Sequence, residues 1–254
     1  MKKLLISVSL SFLVIWVVTA YGTVADDTLS MFLSFDDGQG TVAKDLSMYG
    51  NKGKVDGAKW VDGKFGKALE FDGENDFVEV ADHKSLLLLE GGTFMAWVFI
   101  KTEKGDASWP RILNKANTTG GTQGYDFLLD RALGYSIRFC IGGVCNSYFP
   151  LETDSWHHIA ATYNGKKIYI YADGKKVGEG DQPAPALDST GSNMRIGNSP
   201  AGSRAYQGII DEVRIWSRAL DENEINFQMV RGAEILSVDP SAKVAVTWGL
   251  LKNY

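Results

Sequence analysis

An all-β fold, an antiparallel sandwich of two stacked sheets with one short helix near the C-terminus, is what this sequence predicts. Three observations predict it. Turn dipeptides recur along the chain, with Asp-Gly at 37–38, 56–57, 62–63, 72–73 and 173–174 and Asn-Gly at 164–165. Between them lie short β-branched and aromatic runs, the pattern of strands joined by hairpins. Helix signals, by contrast, are scarce.

In chain order, Lys2 and Lys3 precede an uncharged apolar stretch at 4–18. Small residues follow at Val18-Thr19-Ala20 and Thr23-Val24-Ala25, each a possible cleavage point. That order of parts predicts a secretory signal over residues 1–25. An uncleaved anchor is the alternative, although the stretch falls short of the roughly 20 apolar residues that span a bilayer. No Cys follows the run, which argues against a lipid anchor at that point. No later segment is long and apolar enough to cross a bilayer, so the mature chain is expected to have no membrane span and to work outside the cytoplasm, secreted, periplasmic or at the cell surface.

Of 254 residues, 26 are basic and 31 acidic. Without Lys2 and Lys3 the balance is 24 against 31, a net charge near −7. An acidic surface repels phosphate backbones, which makes nucleic acid a poor partner. The same surface is compatible with divalent cations. Residues 26–231 suit one large β domain. From Gly232 the composition shifts, and 232–254 reads as a tail whose alternating Val244-Ala-Val-Thr-Trp-Gly-Leu-Leu251 suits either an added edge strand or a docking segment.

Within the domain, Phe-Met-Ala-Trp-Val-Phe-Ile at 94–100 is apolar at both parities, as in a central strand covered on both faces. Residues 159–180 read as a three-stranded meander turning at Asn164-Gly165 and Asp173-Gly174. Asp221 with Glu224 three residues on forms a capping box and predicts a helix from about 222 to 230.

Six segments then occur in order: Phe35-Asp-Asp-Gly38, Asp45-Leu-Ser-Met-Tyr-Gly-Asn51, Gly63-Lys-Phe-Gly-Lys-Ala-Leu-Glu-Phe-Asp-Gly73, Phe77-Val-Glu-Val80, Trp156-His-His-Ile159 and Gly208-Ile-Ile-Asp-Glu-Val-Arg-Ile-Trp-Ser-Arg-Ala-Leu220. Together they resemble the LamG-like jelly-roll domain of the concanavalin A-like lectin/glucanase superfamily, over roughly residues 29–230. The resemblance implies a jelly roll in which binding of carbohydrate or protein is commoner than catalysis. It also implies a structural calcium ion.

Cys140 and Cys145 bracket Gly142-Gly143, the tip of a two-residue hairpin. The cysteines then face each other in a non-hydrogen-bonded pair, roughly 4.5–5.5 Å between Cα atoms, close enough for a disulfide. Export supplies the oxidising setting. The alternative, a redox or metal pair, lacks further ligands nearby. Asp211 shares strand parity with Val213 and Ile215, so an inward face for those two buries Asp211 as well. A buried carboxylate needs a cation or several donors. First and last strands of a jelly roll often lie side by side, which could bring Asp36 close, so Asp36 and Asp211 are the candidate Ca2+ ligands, with carbonyls from Asn51-Lys-Gly53. Turn capping is the alternative use of such aspartates.

Glu74-Asn-Asp-Phe-Val-Glu79 matches the E-x-D-x-x-E spacing of laminarinase-type hydrolases, which need two carboxyl groups roughly 5–5.5 Å apart. Here the first Glu falls in the Asp72-Gly73 turn and Asn75 takes the apolar position, so coincidence is the better reading. His83, His157 and His158 show neither a Ser/His/Asp order nor zinc spacing and are assigned to packing. Sugars stack their C–H faces on exposed rings, and Trp109, Tyr148 and Tyr206, in polar or turn-rich segments, are the candidate ligand contacts. Packing of those rings is the commoner use. Trp60, Trp97, Trp156 and Trp216 are assigned to the core. The leading function is non-catalytic binding of an extracellular glycan or glycoprotein. An adhesive protein-binding module and a glycan hydrolase are its rivals.

Overall fold

The computed structural model describes residues 26–88, 90–101, 109–116, 124–182, 189, 191–200 and 204–233. The signal reading at 1–25 and the tail reading from 234 onward lie outside these residues. The described chain opens with β1 (Leu29–Leu33), β2 (Val42–Ala43), β3 (Gly53–Asp56), β4 (Lys59–Asp62), β5 (Lys67–Asp72) and β6 (Phe77–Val80). It continues through β7 (Gly92–Ile100), β8 (Arg111–Ala116), β9 (Gly124–Asp130), β10 (Ser136–Ile141) and β11 (Val144–Tyr148). The last strands are β12 (Trp156–Tyr163), β13 (Lys167–Ala172), β14 (Lys175–Asp181), β15 (Met194–Ile196) and β16 (Gln207–Trp216), before α1 (Glu222–Met229).

These strands make two antiparallel eight-stranded sheets. The first runs β14-β13-β12-β7-β16-β5-β4, with β1 also paired to β16. The second runs β11-β10-β9-β8-β15-β6-β3-β2. Between them lies one apolar core, to which β7 gives Phe94, Ala96, Val98 and Ile100, β12 gives Ile159 and Ala161, and β9 gives Tyr125, Phe127 and Leu129. The antiparallel sandwich with one helix is the architecture expected from the turn spacing.

The double-sided apolarity of β7 has its predicted cause. It is paired on both edges, to β12 and β16. Met95 from its other face joins Phe32, Ala160, Tyr171, Trp216, Leu220 and Ile225 in a second apolar cluster under α1. The helix is capped as read: the Asp221 carboxylate accepts from Glu224 N and the Glu224 carboxylate accepts from Asp221 N, both at 2.9 Å. Asn226 ties it down by donating to Gly174 O at 2.9 Å, and Trp97 Nε1 donates to Met229 O at 3.1 Å. Thus α1 packs on part of the outer face of the first sheet, over β7, β12, β13 and β16.

The meander β12-β13-β14 forms around Asn164-Gly165 and Asp173-Gly174. The hairpin β10-β11 pairs Cys140 with Cys145, whose Cα atoms lie 4.1 Å apart and whose sulfurs are bonded. Gly142 and Gly143 both take positive φ at the tip, as a two-residue type I′ turn requires. So small a loop gains only about 2 kcal/mol from the bond.

Several strands depart from simple alternation, β16 among them. In β16, Ile210 and Val213 both face the core. A bulge lies between Asp211 and Arg214, and Glu212 adopts φ 55° there. The extra residue shifts the phase. Asp211, expected on the inward face with Val213 and Ile215, lies opposite Trp97 on the outer face, although it is fully buried there.

Candidate ligand-binding site

Among the described residues, the outer face of the second sheet carries two recesses. Strand alternation supplies its chemistry. Where Tyr125, Phe127 and Leu129 of β9 point to the core, Asp126, Leu128 and Asp130 point out. Their neighbours across the ladder are Asn114 and Cys140 beside Asp126, and Arg111 and Arg138 beside Leu128. Trp109 and Arg204 arrive from the loops before β8 and β16. Trp109, Arg111, Asp126, Leu128, Arg138 and Arg204 line a recess of about 200 Å³, with the Cys140–Cys145 bond along one side.

The floor of the recess is an ion pair with both partners buried. Arg111 Nη2 lies 2.7 Å from Asp126 Oδ2, with side-chain exposures of 3% and 0%. Arg111 Nη1 donates to Trp109 O at 2.6 Å. Burial dominates both titrations: it pushes the Asp126 carboxyl up, against the pull of Arg111. It pulls the Arg111 guanidinium down, against Asp126, with Arg204 and Arg138 adding repulsion. Asp126 Oδ1, Asn114 Oδ1 and Arg111 Nε have no hydrogen-bond partner among the described residues. Above the floor, Arg138 Nη1 donates to Asp130 Oδ2 at 3.1 Å. The Arg204 guanidinium stacks 4.6 Å from the Trp109 ring centre, and Trp109 stays 37% exposed.

A larger recess of about 360 Å³ lies toward β3 and β6, lined by Tyr49, Lys52, Lys54, Glu79, Asp82 and His83. Several of its polar groups are held by partners outside the recess. Asp82 accepts from the buried Lys115 Nζ at 2.6 Å, His83 pairs with Ser85 Oγ at 2.8 Å and Tyr49 donates to Asp27 O at 2.5 Å. The smaller recess has the exposed ring and the unpaired buried atoms, and it is the stronger candidate.

Of the three rings proposed from sequence, only Trp109 faces a recess. Tyr206 is corrected to core: it is 1% exposed, edge-on to Phe71, and its hydroxyl donates to Phe99 O at 2.9 Å. Tyr148 is half-buried. A Cβ on Gly178 would collide with its ring, and its hydroxyl donates to Glu179 O at 2.5 Å. Its ring face is therefore spent on joining β11 to β14. Of the tryptophans assigned to the core, Trp97 and Trp216 are buried there, while Trp60 and Trp156 sit half-exposed at the margin.

Asp36 and Asp211 converge on one loop. Asp211 Oδ2 accepts from Phe65 N at 3.0 Å and Asp36 Oδ1 from Lys67 N at 2.9 Å. Gly66 permits this, since a Cβ there would strike Asp36 Oδ1. Burial, with the charges of Glu212 and Asp36 adding to it, pushes Asp211 up to about 8. Asp211 Oδ1 is buried without a hydrogen-bond partner among the described residues. The Asn51-Gly53 loop is elsewhere: Asp45 accepts from Asn51 N at 2.6 Å, and Asn51 donates to Ser30 O. Among the described residues no three His, Cys, Asp or Glu side chains gather as a metal site. A cation here would therefore rest on the two aspartates and backbone carbonyls. The orphaned oxygen of Asp211 fits that role.

Glu74 and Glu79 do not form a pair. Glu74 sits in an exposed turn whose N–H is capped by Asp72, while Glu79 lies in β6 and accepts from Arg195 at 3.2 Å. The histidine reading needs correction. Ser155 Oγ lies 2.9 Å from His157 Nε2, and His157 Nδ1 lies 2.9 Å from Asp173 Oδ2, a Ser–His–Asp line. The other Asp173 oxygen accepts from His158 N at 2.9 Å. That second bond marks Asp173 as the clamp between β12 and the β13-β14 turn.

Residues 72–226 match the model of the concanavalin A-like lectin/glucanases superfamily. No curated protein sequence matches the chain. Among solved structures, domain 4 of an extracellular arabinanase from Geobacillus stearothermophilus, in complex with arabinotriose, is 16% identical with a TM-score of 0.61, over 79% of this chain and 98% of that one. The binding domain of botulinum neurotoxin DC, in complex with SialylT, is 13% identical with a TM-score of 0.60, over 79% of this chain and 50% of that one. A Trypanosoma rangeli sialidase in complex with 2,3-difluorosialic acid is 17% identical with a TM-score of 0.60, over 78% and 32%. The chain thus spans about half of the neurotoxin domain and a third of the sialidase. Among the described residues no helix is long and apolar enough to cross a membrane.

Proposed function

We propose, from the premise that the chain belongs to the concanavalin A-like lectin/glucanase superfamily, that it is an exported, non-catalytic module binding an extracellular glycan or glycoprotein. The observation that carries this reading is the Trp109 recess: an exposed ring beside buried charges on the outer face of the second sheet. A ring stacks on the apolar face of a sugar, and the surrounding guanidinium and carboxylate groups bond its hydroxyls. Domains of this fold in an arabinanase and a neurotoxin are found with arabinotriose and SialylT, which agrees with a glycan partner. The adhesive protein-binding rival has less support, because among the described residues the large exposed aliphatic and phenyl side chains (Val42, Leu46, Met48, Leu133, Phe149, Phe227 and Val230) are spread over several elements.

A glycan array read with the purified protein is expected to give binding, and Trp109→Ala is expected to weaken it about tenfold with the melting temperature unchanged. Array silence sinks the glycan reading. Hydrolysis of a polysaccharide that vanishes in Glu79→Gln sinks the non-catalytic one.

Calcium has a place in the same proposal, as a scaffold ion beside the 63–67 loop. Asp211 and Asp36 would hold it, and it would supply the positive charge that two converging carboxylates need. Chelation is expected to lower the melting temperature of the wild type by several degrees and to leave that of Asp211→Asn unmoved. Identical responses in the two proteins would remove calcium from the proposal.

A further inference from the structure

We propose that the Trp109 recess takes the anionic group of an acidic sugar, a carboxylate or sulfate ester, on Arg204 and Arg138, with Arg111 held beneath them by Asp126. This rests on the reading of the face as a glycan site and names the class of glycan.

Charge is the first argument. The chain carries a formal net charge of −5, yet three guanidinium groups, Arg111, Arg138 and Arg204, meet at this one recess. Two carboxylates oppose them, Asp126 on Arg111 and Asp130 on Arg138. Three against two leaves an excess of one positive charge. Among the described residues Arg204 forms no ion pair. Its guanidinium is spread on the Trp109 ring, which orients the fork without consuming its N–H donors.

Geometry is the second argument. A guanidinium presents paired N–H donors in a plane that matches the two oxygens of a carboxylate or sulfate. Arg111 is fixed at both ends, by Asp126 and by Trp109 O, and the disulfide stiffens the β10-β11 hairpin that carries Arg138. Such preorganisation costs stability, because buried charges are desolvated, and has a use when an incoming anion completes the set. At about 200 Å³ the recess is below the range of drug-sized sites. It suits one ring of a chain, with the rest of the polymer outside.

The test uses immobilised polyglucuronate, dextran sulfate, neutral dextran and polyglutamate. Expected is binding to one or both acidic glycans, weakening with added salt. Arg204→Gln is expected to lower that affinity about tenfold or more, and Arg204→Lys to lower it less, since the charge remains and the fork is lost. Lys175→Gln, the same charge change on exposed β14, is expected to leave it unaltered. A melting curve checks that each variant is folded. If a neutral glycan binds as tightly and ignores Arg204→Gln, the acidic-sugar inference is overturned and the glycan reading stands. Equal binding of polyglutamate overturns it in favour of charge alone. Binding to no glycan of any charge overturns both.

Discussion

Asp126→Ala is expected to lower the unfolding free energy by about 3–5 kcal/mol, the cost of leaving a buried charge without its partner. Arg111 is 3% exposed and its Nη2 faces Asp126 at 2.7 Å. Removing the carboxylate strands a guanidinium that, among the described residues, keeps only the carbonyl of Trp109. The companion experiment replaces both partners, Arg111→Met with Asp126→Leu. Buried pairs are costly to desolvate, and burial penalises the charged form of each partner here. The double variant is therefore expected to be as stable as the wild type, or more so by about 1–4 kcal/mol, and to lose binding of acidic glycans. Urea unfolding with a constant m-value measures both changes. A cost under about 1 kcal/mol for Asp126→Ala would mean that water reaches the pair. A double variant that still binds would remove the ion pair from the site.

Much of this fold was legible because its signals are local. Asn164-Gly165 and Asp173-Gly174 demand turns wherever they occur, Asp221 and Glu224 cap one helix within a single turn, and Gly142-Gly143 sets the register that joins Cys140 to Cys145. The both-sided apolarity of residues 94–100 reports burial on two faces without naming what covers them. The site was far less legible. Its arginines come from β8, β10 and the loop before β16, and no short pattern links positions 111, 138 and 204. Asp126 alternates like any outward strand residue, and nothing adjacent in sequence marks it as buried. The Ser155–His157–Asp173 line escaped for the same reason, since its aspartate belongs to the turn beyond the next strand. The error at Asp211 has a different origin. Parity counting assumes an unbroken pleat, and the bulge at Glu212 adds one residue, so Ile210 and Val213 share the core face and Asp211 does not. Tyr206 is misread from sequence because a turn-rich segment suggests exposure, whereas its hydroxyl is satisfied inside by Phe99 O.

Acid is expected to destabilise this protein in part through one buried histidine. His158 is buried in β12 beside Trp97, their rings 5.4 Å apart. Burial, helped by the Arg214 guanidinium and opposed by Asp173, pulls its pKa down to about 3. An exposed imidazole in the unfolded chain titrates near 6.5. Between those values the unfolded chain binds the extra proton, so stability falls as pH falls. The contribution is fully present above about pH 6.5 and shrinks as pH drops toward 3. The loss reaches about 2 kcal/mol by pH 5 and up to about 5 kcal/mol near pH 3, against a total of roughly 5–15 kcal/mol for an ordinary domain. His158→Gln cannot take up the proton, and the carboxylates that also titrate in this range are common to both proteins. The difference between their urea-derived stabilities isolates the imidazole. That difference is expected to favour the wild type at pH 7, to close with falling pH, and to reverse near pH 5 if the substitution costs about 1–2 kcal/mol in packing. Parallel stability curves from pH 7 to pH 4 would show that His158 is protonated in the folded chain, and the burial argument for this strand would fail with it.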